Sequence, residues 1–264
     1  MTPKGWSFCI ASAPGNEAIL SRCISCIEQE FAGRDDYEII VIGASPDAKY
    51  LSGHPVRVIG FQEEVFSLSW RNVRVARKSK SWRRLLYRTG AISHKKNVAA
   101  REARFDKLCV MHDYVGLQPG WAQGFEVFGT DWDVAMTIIL NADGSRHRDW
   151  TCWNHPLIAS GKGRVEACLM PYDSYTRHMY ISGTYFCVKK DFFLHNPLDE
   201  SLFWGEGEDV EWSHRVRDKT RFRMNTNSSV QYLKLKSLEE APYCEDWERN
   251  RKRLAEAIAG RKEF

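Results

Sequence analysis

Short, nearly solid apolar runs alternate with amphipathic ones along the first part of the chain. WSFCIAS (6–12) reads as a buried strand, and APGNE (13–17) as the loop that ends it. In AILSRCISCIEQEF (18–31) the apolar positions recur at helical spacing. YEIIVIGAS (37–45) is a second strand, stopped by Gly43 and Pro46, and VRVIGF (56–61) is a third. NVAAREARF (97–105) predicts a helix that leads into the strand KLCVMHDYV (107–115). WDVAMTIIL (132–140) is a further strand, and NADGSRHRDWTCWNHP (141–156) reads as a polar, aromatic-rich loop. MYISGTYFCVKKDFF (179–193) predicts a strand interrupted at Gly183. A helix is expected from about 210 to 217, a last strand at SSVQYLKL (228–235) and a charged helical tail over 241–264. Strands alternating with helices predict an α/β fold with a mixed, mainly parallel central sheet flanked by helices. Ligands of such sheets bind beyond the carboxyl ends of the strands, here the loops after Ser12, Gly43 and Gly60.

Composition narrows the class. With 43% hydrophobic and 27% charged positions, the 264 residues are globular and not disordered. No repeat or low-complexity linker divides them, so one domain over 1–264 is expected. A net charge of +4 is not that of a polycation. No apolar run reaches the ~18 residues of a membrane span. The first residues lack the apolar centre of a secretory signal, so a cytoplasmic location is expected. The eight cysteines are scattered, several inside apolar runs. Cys23 and Cys26 form a C-x-x-C with no second ligand pair, and are expected on adjacent turns of a helix and not at a metal.

Two places carry candidate chemistry. LFWGEGEDVEWSHRV (202–216) gathers Glu206, Glu208, Asp209 and Glu211 within six positions. Like charges this close repel. Two readings fit: a solvated helix start capped by Asp209, or a catalytic carboxylate pair. Asp113, at the end of its strand, is open in the same way, as a turn cap or as a ligand-facing acid.

Four segments in order resemble the GT-A fold glycosyltransferases, close to the inverting family 2. They are CIASAPGNE with EIIVIGASPD, KKNVAAREARFDKLCVMHDYV, SGTYFCVKKDFF, and FWGEGEDVEW. The W-G-x-G-E-D portion of the last is also similar to a stretch of the β-1,4-galactosyltransferases. Where the family has Asp-x-Asp, this chain has His112-Asp113-Tyr114, and its last strand has no His.

The resemblance implies a donor half over 1–115, an acceptor half over 116–240 and a tail over 241–264. It implies transfer of a sugar from a nucleoside-diphosphate sugar, UDP first, to a hydroxyl of a glycan or lipid-linked glycan, with inversion, in surface polysaccharide synthesis. Asp209 would be the general base, and Glu208 would orient the acceptor or hold Asp209. Donor contacts would come from Ala11, Ala13, Asn16, Glu17, Gly43, Asp47, Lys95, Lys96, Asn97, His112 and Asp113. Acceptor contacts would come from Trp204, Gly183, Arg148, Asp149 and Trp150. Mn²⁺ or Mg²⁺ on Asp113 would neutralise the departing diphosphate, or else Lys95 and Lys96 would do so.

WRNVRVARKSKSWRRLLYRTGAISHKK (70–96) carries ten Lys/Arg and no acid. Within the transferase reading it suits an anionic membrane or a lipid diphosphate. Its rival reading is a nucleic-acid surface, which leaves the carboxylate clusters unexplained, so no nucleic-acid partner is expected. A degenerate transferase that binds sugar or nucleotide without turnover is the other alternative, and a nucleotidyltransferase the enzymatic runner-up.

Overall fold

The computed structural model describes residues 2–13, 15–43, 51, 53–61, 91–155, 167–202 and 207–234. Every residue of β1 (Trp6–Ala11) is buried, as a parallel strand covered on both faces must be. Helix α1 (Glu17–Glu30) returns the chain, burying Leu20, Cys23, Ile24 and Ile27 along one stripe. Leu20, Ile24 and Ile27 each contribute about 1.5–3 kcal/mol on burial, so Ile24→Asp would break this layer. β2 (Tyr37–Ile42) then pairs in parallel with β1, and β3 (Val56–Ile59) with β2. Helix α2 (Ile92–Glu102) leads into β4 (Lys107–His112), which pairs in parallel with the other side of β1.

Seven further strands complete two sheets. After β5 (Val115–Leu117), helix α3 (Trp121–Phe128) and β6 (Val134–Leu140), a three-stranded sheet forms from β7 (Thr151–Trp153), β8 (Ala167–Leu169) and β9 (Met179–Tyr180). β10 (Tyr185–Lys189) re-enters the main sheet antiparallel to both β4 and β6. Helices α4 (Lys190–His195) and α5 (Glu208–Val216) follow, then β11 (Arg223–Tyr232), parallel to β6. The main sheet runs β3-β2-β1-β4-β10-β6-β11-β5. β1, β2, β3 and β4 therefore end at one edge, and β10 starts there.

An aromatic cluster fixes the opposite end. Trp6 meets Trp121 edge-on at 4.7 Å and Phe125 at 4.8 Å. The Trp121 indole N–H, fully buried, donates to the Tyr185 hydroxyl at 2.8 Å, so its polar handle is satisfied. Helix α3 lies directly on β11: a Cβ at Gly124 would come within 2.3 Å of the Asn227 carbonyl and Ser228 Oγ.

Several expected elements differ in extent. The helix expected at 97–105 starts at Ile92 and so contains Lys95 and Lys96. Helix α3 was not expected. The run 179–193 divides into β9, a turn at Ser182–Thr184, β10 and a short helix. The polar loop 141–156 contains β7, and β11 begins five residues before the strand expected at 228. Cys23 and Cys26 lie on adjacent turns of α1 as free thiols. The tail 241–264 and the basic run up to position 90 lie outside the described residues.

Candidate active site

Three elements meet at the edge where β1, β2 and β4 end. β1 runs out into Ser12, β4 into Asp113, and β2 into Gly43. Asp113 is 2% exposed. Its Oδ2 accepts hydrogen bonds from Ser12 Oγ at 2.7 Å and Asn16 Nδ2 at 2.9 Å. Burial raises its proton affinity, and these two donors oppose the rise. The acid thus ties the first loop to the end of β4. Gly43 closes the same corner with φ +96°, a conformation open to glycine. A Cβ there would collide with the Ser12 carbonyl at 2.2 Å and with Lys95 Nζ at 2.8 Å.

The second half of the cluster is built on Gly183. Its N–H donates to Asp209 Oδ2 at 2.8 Å, and the Val210 N–H donates to Oδ1 at 2.9 Å. No Cβ fits at Gly183: it would lie 2.9 Å from Asp209 Oδ2 and 3.1 Å from Glu208 Oε1. Helix α5 starts at Glu208 behind Gly207, whose φ of +74° makes the turn. Asp209 is therefore inside the first turn and not the cap, which corrects the capping alternative. Burial first, then the neighbouring Glu208 charge, raises the Asp209 carboxyl to about 6. The Gly183 N–H, Lys96 and the Val210 N–H pull it back.

Lys95 and Lys96 join the two halves from helix α2. Lys95 Nζ donates to the Ser12 carbonyl at 2.8 Å and lies 5.3 Å from the Phe61 ring centroid. Lys96 Nζ donates to the Gly183 carbonyl at 2.7 Å and to Glu208 Oε1 at 3.1 Å. Both are buried, and the partners of their ammonium groups are protein oxygens. The His112 N–H donates to the Thr184 carbonyl at 2.9 Å. Asp113 and the Glu208–Asp209 pair, nearly a hundred positions apart in the chain, are thus linked at one sheet edge.

Other expected residues fall elsewhere. Asn97 is buried, and its amide holds the 198–200 loop through Leu198 O (2.9 Å), Glu200 Oε1 (3.1 Å) and the Leu198 N–H (3.0 Å). Those bonds account for an asparagine at this position. Asp149 is fully buried, bonded to Arg146 Nε and the Trp150 N–H, and accepting from Tyr172. Trp150 is buried and donates to Ser174 O, so neither offers a face to an acceptor. Glu17 is exposed and caps the Gly15 N–H at 2.9 Å. Ala11 is buried at the end of β1 opposite His112, and Ala13 follows Ser12 half-buried. Arg148 is half-buried, and both it and Asp209 act electrostatically on the buried Tyr180 phenol. Asp47 and Trp204 lie outside the described residues. Sequence reasoning missed Ser12, Thr184 and Tyr180, whose only signal was nearness to a strand end.

Two cavities lie apart from this cluster. One of about 490 Å³ lies between β3 and α2, lined by Glu38, Arg57, Glu102 and Arg104. The other, about 390 Å³, lies beside the small sheet. Neither contains a residue of the cluster, and its chemistry is the stronger guide.

The sequence matches no protein-family model and no curated protein. Solved structures do match. The crystal structure of GalNAc-T7 with UDP, GalNAc and Mn²⁺ superposes with a TM-score of 0.57 at 13% identity, covering 89% of this chain and 45% of that one. The structure of residues 1–349 of S. aureus TarS gives a TM-score of 0.55 at 11% identity, covering 86% of this chain and 60% of that one. The chain spans less than two thirds of either. Likeness at such low identity is a likeness of fold, and the chain has the GT-A glycosyltransferase fold, with its curled, mainly parallel sheet.

Proposed function

We propose that this chain is a glycosyltransferase that moves a sugar from a UDP-sugar to a hydroxyl of a glycan or lipid-linked glycan, with inversion and with Asp209 as general base. The observation that carries it is the placement of Asp209. Two backbone N–H groups hold the carboxylate, and its proton affinity is raised to about 6. At pH 7 about nine-tenths of such a group is ionised, yet it binds a proton far better than a free aspartate. In the reaction the acceptor O–H gives its proton to Asp209 as its oxygen bonds to the anomeric carbon. The bond from that carbon to the β-phosphate oxygen breaks, and UDP leaves.

The residues assigned to the donor are the Ser12–Asn16 loop, Gly43 and the His112–Asp113 strand end. They sit at the carboxyl edge of parallel strands, where α/β sheets bind ligands. GalNAc-T7 was crystallised with UDP and Mn²⁺. Here Asp113, with His112 beside it, would hold a divalent cation. Among the described residues no group of three His, Cys, Asp or Glu gathers to hold one. Such a pair fits an ion carried largely by the substrate's phosphates. When bound, it would supply positive charge to the departing diphosphate. Gly183, Arg148 and Trp204 are kept as acceptor-side residues, and 1–115, 116–240 and 241–264 as donor half, acceptor half and tail. Surface polysaccharide as the product, a cytoplasmic location and contact of the basic run with an anionic membrane belong to the same reading. Among the described residues no helix is long and apolar enough to cross a membrane.

A thermal-shift panel of UDP-, GDP-, dTDP- and CMP-sugars, each with and without Mn²⁺, tests the donor class. Stabilisation by a UDP-sugar above the others supports the proposal. No shift with any of them overturns it.

A further inference from the structure

Lys96 is the least expected member of the cluster. Its side chain is 1% exposed. A buried ammonium has three protons to place and no acceptor of its own, and it is tolerated only when paired. Its partners come from two other parts of the chain: the Gly183 carbonyl, 87 positions away, at 2.7 Å, and Glu208 Oε1, 112 positions away, at 3.1 Å. Gly183 in turn uses its N–H on Asp209. A closed loop results, running from Lys96 to the Gly183 peptide, to Asp209, to its neighbour Glu208, and back to Lys96.

This arrangement has an electrostatic consequence. Two carboxylates at adjacent positions of a helix start cannot both stay ionised cheaply when desolvated. Among the described residues the Tyr180 phenol from β9 also faces Asp209 and supplies no positive charge, and the half-buried Arg148 acts on that same phenol. Among the described residues Lys96 is the cation that hydrogen-bonds the pair, through Glu208 Oε1.

We propose that Lys96 is a positioning residue for the base: its ammonium, clamped between the Gly183 carbonyl and the Glu208 carboxylate, cancels the Glu208 charge and fixes the peptide whose N–H aims Asp209. The inference rests on the reading of Asp209 as base. It replaces the expected phosphate contact of Lys96 with a role inside the catalytic cluster.

The test follows the carboxyl groups directly and needs no substrate. In full-length protein labelled with ¹³C at Asp and Glu carboxyls, NMR titration gives the two apparent pKa values of the Glu208–Asp209 pair. The resonances are assigned with D209N and E208Q. Lys96→Met is expected to raise the upper value by about one unit or more, since an opposite charge in contact shifts a carboxylate by about 1–3. Lys96→Arg keeps the charge and stays within about 0.3 of wild type on the same scale. The K96M/E208Q double variant removes the pair together and returns Asp209 toward the wild-type value.

A Lys96 that served only to fill space would leave the titration unmoved in K96M, and a shift under about 0.3 would overturn the proposal. If K96M yields no folded protein, the comparison is made between E208Q and K96M/E208Q. There, loss of Lys96 must raise the Asp209 value by at least the same 0.3 or so, and no rise overturns the proposal. Where a UDP-sugar is turned over, the acid limb of kcat/KM in K96M moves up with the carboxyl value. Should D209N keep its activity, the base assignment fails while the titration still reports on Lys96.

Discussion

The Gly183 N–H and the Asp209 carboxylate meet at 2.8 Å, across 26 positions of chain. That contact explains why position 183 is glycine: a Cβ would occupy the place of the carboxylate, 2.9 Å from Oδ2. Gly183→Ala is expected to push both acids aside. Transfer should fall about 10–100-fold, a part of the 10²–10⁴ a positioned base supplies. Stability should fall by about 1–3 kcal/mol, the usual cost of overpacking. Steady-state kinetics and urea melts on the same preparation check both.

The raised proton affinity of Asp209 has a pH signature. Its folded value of about 6 lies above the ordinary 3.8. Between these pH values the folded state binds more protons than the unfolded one, so stability falls as pH rises through that window. Asp209→Asn removes the charge from this half-buried site. The variant should be more stable than wild type at pH 7, by up to about 3 kcal/mol, and the gain should vanish below about pH 4. Urea melts at pH 4, 5, 6 and 7 would show the trend. A variant less stable at pH 7 than at pH 4, relative to wild type, contradicts it.

Ser12 is one of two side chains bonded to Asp113 Oδ2. Ser12→Ala leaves a buried carboxylate short of a donor, at a cost of about 1–3 kcal/mol. Because Ser12 also belongs to the loop after β1, UDP affinity should fall with it. Calorimetric titration of UDP against wild type and variant measures the loss, and unchanged affinity would remove this loop from the donor site.

Asn97 makes the opposite case. All of its amide is used within the protein. Asn97→Ala should lower stability by about 2–3 kcal/mol, each lost buried bond contributing about 1 kcal/mol or more. UDP affinity in the folded fraction should stay within about two-fold, less than 0.5 kcal/mol.

In the proposed donor site the pair His112–Asp113 would supply one carboxylate to a cation. Mn²⁺ alone should therefore raise the melting temperature little, while Mn²⁺ with UDP should raise it well beyond either one, because the phosphates bring the remaining ligands. An equal shift from Mn²⁺ alone would show a cation site built by the protein itself.

The strands were legible because both faces of β1, β2 and β4 are covered, which leaves solid apolar runs in the sequence. The expectation that Asp113 and the Glu208–Asp209 pair face one region rested on motif order, and the two lie at the same sheet edge, joined through Ser12, Lys95, Lys96 and Gly183. Helix α3 was hidden by Gly124, a residue that reads as a breaker but is required where the helix lies on Asn227 and Ser228. The start of α2 was hidden by its own polarity. His94, Lys95 and Lys96 look solvated, yet the partners that let the two lysines be buried lie 83 to 112 positions away. No local pattern carries that information. The burial of Asp149 and Trp150 was hidden for the same reason, since they are bonded from the loop at 172–174.

The role of Asp209 is tested most directly by nucleotide release from a UDP-sugar, measured for wild type and Asp209→Asn beside calorimetric UDP affinity. Water can serve as the acceptor, so the measurement does not wait for the natural one. The expected result is a fall in release of about 10²–10⁴-fold with UDP affinity within about two-fold. Retention of a tenth or more of the wild-type rate, with UDP still bound, would contradict the assignment of the base.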